Sequence, residues 1–156
     1  MDNLPKIDEY YSLWLLISQT RSAVFKARHK KVGKYVHFNQ AAALVTIWAL
    51  DGQVTPATLS RQLFLEPHSV SELIMRMEKK GLVTKAKDRK RGNIVRISIT
   101  EKGREFCRQA VQEDFIRSIM SSLSKEQREQ LRSSLNILLN EALKALDMEA
   151  EPPLLP

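Results

Sequence analysis

Two groups of side chains between Pro67 and Arg91 carry the chemistry of this chain, and neither is arranged to break bonds. The first is Pro67, His68, Ser69, Ser71, Glu72 and Arg76, small or polar groups that donate and accept hydrogen bonds within about three helical turns. The second is Lys85, just upstream, with Lys87, Arg89, Lys90 and Arg91 of the loop KDRKRG, a run of cations. Serine, histidine, carboxylate and guanidinium groups on a helix can address the edges of bases in a major groove. A basic loop beside them suits phosphates or an adjacent minor groove. The pattern is that of reading a polyanion.

Other chemistries lack their residues. His29, His37 and His68 share no metal-ligand spacing, and no carboxylate pattern completes a site. No glycine-rich phosphate loop or nucleophile motif is present, so the sequence predicts no enzyme, no metal and no cofactor. Cys107 is the single cysteine, which excludes an internal disulfide. Arg104 and Arg108 flank it, an arrangement that could favour a thiolate; a lone cysteine on a helix is nevertheless expected to be a packing residue.

Charge follows the same division. The net charge is +7, but residues 54–104 hold twelve Lys/Arg against five Asp/Glu, while residues 105–156 hold six against nine. A localised excess of this kind fits a nucleic-acid partner better than a uniformly solvated surface. No stretch approaches a membrane span, and MDNLPKIDEY lacks the layout of a signal peptide, so a cytoplasmic protein without membrane contact is expected.

The elements that must position these groups follow from periodicity. Val70, Leu73, Ile74 and Met77 recur at i, i+3, i+4 and i+7, which predicts a helix from Glu66-Pro67 to about Lys80 with Gly81 as its C-cap. Before it, Thr55 is an N-cap and Pro56 a first helical residue for ATLSRQLFL, which buries Leu59 and Leu63. After it, residues 82–86 read as a strand and NIVRISI alternates as a second, with Ile97 and Ile99 inward and Arg96 and Ser98 outward. Helix, turn, helix and basic hairpin in this order predict a winged helix-turn-helix. Upstream, Asn39 is the expected N-cap of a helix from Gln40 to Leu50, and Val54 the start of a short strand.

The ends of the chain are helical and rich in apolar residues. A helix from about Ile7 to Lys31, ended by Gly33, carries Tyr10, Leu13, Trp14 and Ile17 on more than one face. Thr100 caps a helix expected to continue to about Leu123 through Ile116 and Ile119. Ser124 and Gln127 form a capping box that opens a last helix to about Met148, with Leu135, Leu139, Leu143 and Leu146 in its stripe. These surfaces exceed the needs of a DNA-binding module and predict a dimer. The fold expected is mainly α with a β-hairpin wing. Residues 1–34 and 100–148 form a dimerisation region, residues 35–99 the winged helix-turn-helix, and residues 149–156 a tail. Trp14, Phe25, Trp48 and Phe115 could line a cleft for a small effector, although aromatics at helical spacing are more often core.

SVSELIMRMEKKGLV, a basic loop and then ISITEKG together resemble the multiple-antibiotic-resistance regulator (MarR) family of bacterial transcription factors. FNQAAALVTIWAL is similar to that family's second helix and LSKEQREQLRSSLNILL to its last, so the resemblance spans nearly the whole chain. It implies a homodimer that binds a pseudo-palindromic operator in double-stranded DNA, represses nearby genes and is released by a small, often phenolic ligand. By position it assigns DNA contacts to Ser69, Ser71 and Arg76. Two departures stand out: Glu72 replaces a neutral or basic residue, and Asp88-Arg89-Lys90-Arg91 lacks the family's Asp-x-Arg, with a wing longer by two or three residues. The alternative is a winged-helix module whose partner is protein, which predicts salt-insensitive complexes independent of DNA.

Overall fold

The tight turn at residues 64–66 follows from how its first helix ends. In the computed structural model, which describes residues 6–32, 37–50, 54–112 and 114–149, Thr55 and Thr58 form a reciprocal capping box and Pro56 starts the helix. That helix, α3 (Pro56–Leu63), stops where Phe64 enters the left-handed region at φ 52°. The Leu65 amide then donates to the Ser60 carbonyl at 3.1 Å, and the Ser60 hydroxyl donates to the Leu65 carbonyl at 2.6 Å. Sequence reasoning carried this helix through Leu65; an aromatic residue in a conformation that favours glycine gave no warning.

In chain order the elements are α1 (Glu9–Val32), α2 (Phe38–Ala49), α3, α4 (Pro67–Lys79), β1 (Val83–Lys87), β2 (Val95–Ile99), α5 (Glu101–Gln112), α6 (Asp114–Met120) and α7 (Lys125–Ala145). The chain divides into two units, Met1–Phe38 and Asn39–Pro156.

In the first unit, α1 holds Phe25 edge-on to Phe38 with ring centroids 5.5 Å apart, and the Arg21 guanidinium lies 4.6 Å from the Phe38 ring. Its first half leaves Tyr10, Tyr11, Leu13, Trp14, Leu16 and Ile17 exposed. Gly33, the expected stop, lies outside the described residues.

The second unit is built on one core. Leu44 and Ile47 of α2, Leu59 of α3, Val70 and Met77 of α4, Val83 and Ile97 of the hairpin and Cys107 of α5 are all fully buried in it. Burying side chains of this size is worth roughly 1.5–3 kcal/mol each, which is why the predicted stripe of α4 fixes the helix in rotation. The strands pair antiparallel with Val83 opposite Ile99 and Lys87 opposite Val95. Val54 contributes a single bridge to Ile97 rather than the short strand expected, its carbonyl accepting from the Ile97 amide at 2.8 Å.

One other expectation is corrected. Asn39 lies inside the first turn of α2, which begins at Phe38, so it is not the N-cap. The helix expected from Thr100 to about Leu123 is followed as α5 and α6 on either side of residue 113, which lies outside the described residues, and α6 ends at Met120. The Ser124–Gln127 box opens α7 as predicted, the Gln127 amide donating to the Ser124 hydroxyl at 3.1 Å.

Candidate nucleic-acid interface

Rotation of α4 decides which side chains face outward. Val70, Leu73, Ile74 and Met77 point into the core, so His68, Glu72 and Arg76 form an exposed stripe at four-residue steps, with Pro67, Ser69 and Ser71 beside its first turn. All six residues that the sequence singled out on this helix are exposed. Pro67 sits at the first helical position, where no N–H is missed, and Glu66 is an extended N-cap without a side-chain hydrogen bond. His68 Nε2 stands 3.4 Å from Glu72 Oε1. The Ser71 hydroxyl donates to the Pro67 carbonyl at 3.0 Å, so its oxygen faces outward as an acceptor.

The far end of α4 is pinned. Lys80 Nζ donates to the side-chain oxygen of buried Gln40 at 3.1 Å, and Lys102 Nζ donates to the Lys80 carbonyl at 2.8 Å. Gly81, at φ 70°, makes the left-handed exit, and the Thr100 hydroxyl closes on its carbonyl at 2.6 Å. Glu78 pairs with Lys85 of β1 at 3.1 Å, which ties helix to hairpin.

The wing tip is organised by Asp88. Its Oδ1 accepts the backbone N–H of Lys90 at 2.8 Å and of Arg91 at 3.0 Å, and its Oδ2 accepts Arg96 Nε at 2.9 Å. The hydrogen bond from Arg96, followed by those two amides, holds the Asp88 carboxyl below its usual value. The result is a turn from which Arg89, Lys90 and Arg91 stand exposed, with Lys85 and Lys87 exposed along β1. Asp88, Arg96, Gln40 and Lys80 were not picked out from sequence. Only Asp88 carried a local signal, an aspartate two and three residues before the amides it accepts.

The remaining candidates are distributed over both units. Tyr10, Leu13, Trp14 and Ile17 on α1, Ile116 on α6, and Leu135, Leu139 and Leu146 in and just after α7 are exposed; Ile119 is half-buried. Leu143 differs from the rest of its stripe, being only 6% exposed within the chain itself. Of the aromatic residues, Trp14 meets Tyr11 at 5.3 Å, and Phe25 meets His29 at 4.8 Å as well as Phe38. Trp48 and half-buried Phe115 belong to the second unit. Burial pushes the Cys107 thiol up from its ordinary value, opposite to what a reactive thiol needs, and makes it the packing residue the sequence suggested. Among the described residues no three His, Cys, Asp or Glu side chains gather to hold a metal, and no helix is long and apolar enough to cross a membrane.

Comparison with known proteins agrees with this geometry. Residues 36–92 match the model of the MarR family. The organic hydroperoxide resistance transcriptional regulator of Bacillus subtilis is 30% identical over 104 residues, covering 67% of this chain and 70% of that protein. An HTH-type transcriptional regulator of Mycobacterium tuberculosis is 26% identical over 114 residues, covering 72% and 79%. Among solved structures, the organohalide-sensing regulator RdhR-CbdbA1625 bound to 2,4-dichlorophenol superposes with a TM-score of 0.79 at 30% identity, over 92% of this chain and 86% of that one. The MepR–DNA complex of S. aureus superposes at 0.70 with 22% identity, over 86% and 99%, a likeness of fold. The chain is mainly helical with a two-stranded wing, its matches are regulators rather than enzymes, and it belongs to the MarR family of DNA-binding transcriptional regulators.

Proposed function

We propose that the chain works as a homodimeric repressor that binds a pseudo-palindromic operator near the genes it controls. The observation that carries this reading is the exposed polar stripe of α4 beside a basic wing tip. In this reading α4 enters the major groove, with His68, Ser69, Ser71, Glu72 and Arg76 at base edges and phosphates. Arg89, Lys90 and Arg91 take the backbone or the adjacent minor groove, and Lys85 and Lys87 add phosphate contacts. Two copies would read successive grooves about 34–36 Å apart.

Dimerisation is assigned to α1, α6 and α7. Their exposed Tyr10, Leu13, Trp14, Ile17, Ile116, Leu135, Leu139 and Leu146 are too many large apolar side chains for helices facing water, and less exposed Ile119 and Leu143 belong to the same proposed surface. The organohalide-sensing regulator, 30% identical, binds 2,4-dichlorophenol in its solved structure, and a phenolic effector is the class we propose for this chain. A thiol-based peroxide switch does not fit this chain, whose only cysteine is buried with its pKa raised by that burial.

The direct test is a mobility-shift titration of the full chain against its own upstream DNA at several salt concentrations, with a random duplex as competitor. Specific retention is expected, and addition of 2,4-dichlorophenol should release it. No preference over random DNA would refute operator binding. Light scattering should give twice the chain mass, shifting toward one chain in Leu135→Glu.

A further inference from the structure

We infer that Glu72 determines sequence specificity by accepting from the exocyclic amine of a cytosine, with His68 as the residue that positions its carboxylate. The inference rests on the proposal that α4 reads a major groove.

A carboxylate on a DNA-facing helix repels phosphate, so its presence calls for a compensating partner. Two acidic side chains lie on the outward side of α4 beyond its cap, and they are treated differently. Glu78 is neutralised by Lys85 at 3.1 Å. Glu72 is 54% exposed, and no ion pair joins it to Arg76, one turn on, among the described residues. Instead one oxygen, Oε1, faces the imidazole of His68 at 3.4 Å, which leaves Oε2 as an acceptor for another molecule. Ser71 beside it has its hydroxyl hydrogen committed to Pro67 and also presents an acceptor.

A helix start that offers acceptors matches the two major-groove donors, cytosine N4 and adenine N6. Adenine N6 lies next to the N7 acceptor of the same base, which repels a carboxylate, whereas cytosine has a C–H at the corresponding edge. The charge of Glu72 therefore selects cytosine. Arg76, a donor four residues further along the same stripe, is placed for a guanine or a phosphate in the same half-site.

The experiment selects binding sites from a library of random duplexes with the full-length protein and with Glu72→Gln. The wild type is expected to fix a C·G pair at one position of each half-site, and Glu72→Gln to relax that position alone. Changing that pair to T·A, which puts an acceptor against the carboxylate, should weaken the wild type by about tenfold and Glu72→Gln far less. His68→Ala should lower discrimination at the same position, and His68→Gln, which keeps a donor on the side chain, should restore part of it. An unchanged motif in Glu72→Gln would overturn the inference while leaving operator reading intact. So would a uniform rise in affinity for all sequences, which would make Glu72 a repulsive charge only. If the wild type selects no motif, the broader reading fails first.

Discussion

Arg96 Nε stands 2.9 Å from Asp88 Oδ2 across the wing, while Asp88 Oδ1 accepts the amides of Lys90 and Arg91. One carboxylate therefore shapes the loop that presents three cations. Asp88→Ala leaves all those cations in place but releases the turn. Its DNA affinity should fall by about three- to tenfold, the cost of ordering a short loop at the moment of binding. A titration of the variant against operator DNA checks this, with circular dichroism unchanged.

The same carboxylate gives the wing a pH dependence of definite sign. Its pKa is depressed below the usual 3.8, chiefly by the Arg96 hydrogen bond. The order it confers is complete above that value and is lost as the pH falls through the lower, folded one. In NMR spectra, the amide resonances of Lys90 and Arg91 should titrate together below pH 3.8. Asp88→Asn should abolish that titration.

Arg89 and Arg91 are exposed and act on phosphate in the proposed complex. Removing either should weaken binding to all sequences alike and reduce the slope of log K against log salt by about 0.9 per lost contact. Binding isotherms at four or five salt concentrations, on operator and on random DNA, separate this from a loss of base reading.

Gly103 is fixed by a close approach rather than by its φ. A Cβ there would strike the Leu82 carbonyl oxygen and lie 2.8 Å from Ile99 Cγ1. Gly103→Ala should cost about 1–3 kcal/mol, the usual range for overpacking, and lower the melting temperature by roughly 2–4 °C per kcal/mol for a chain of this size. Gly92→Ala, with nothing within 4 Å of the added carbon, is the control that should melt with the wild type.

Cys107 is fully buried and its thiol is held protonated by that burial. It should resist a disulfide-exchange reagent in the native protein and react fully once the chain is denatured. A native reaction as fast as that of a free thiol would contradict the packing role.

Local patterns made much of this fold legible. The apolar repeat of Val70, Leu73, Ile74 and Met77 gave both the helix and its buried face, and the boxes at Thr55 and Ser124 gave two helix starts. What escaped depends on residues distant in sequence or on unusual backbone. Phe64 ends α3 in a conformation its side chain disfavours, and Asn39, a good cap by type, falls one residue inside a helix that starts at Phe38. The polar and basic residues of the candidate site were readable because helix period and charge density are local. The pairs Asp88–Arg96, Glu78–Lys85 and Gln40–Lys80 were not, since each joins different elements or opposite sides of the wing.

The last of these pairs bears on how reading and release can be coupled. Lys80 is held by Gln40 of α2 through its ammonium group and by Lys102 of α5 through its carbonyl. A helix buried along one face and tied at its trailing end to two neighbours resists pivoting by itself. In the proposed complex, a signal that changes the spacing of two recognition helices would then carry α2, α4 and α5 together as one block. In the homodimer proposed above, the two copies would act as calliper jaws of fixed shape, and an effector would act at the hinge rather than at the points.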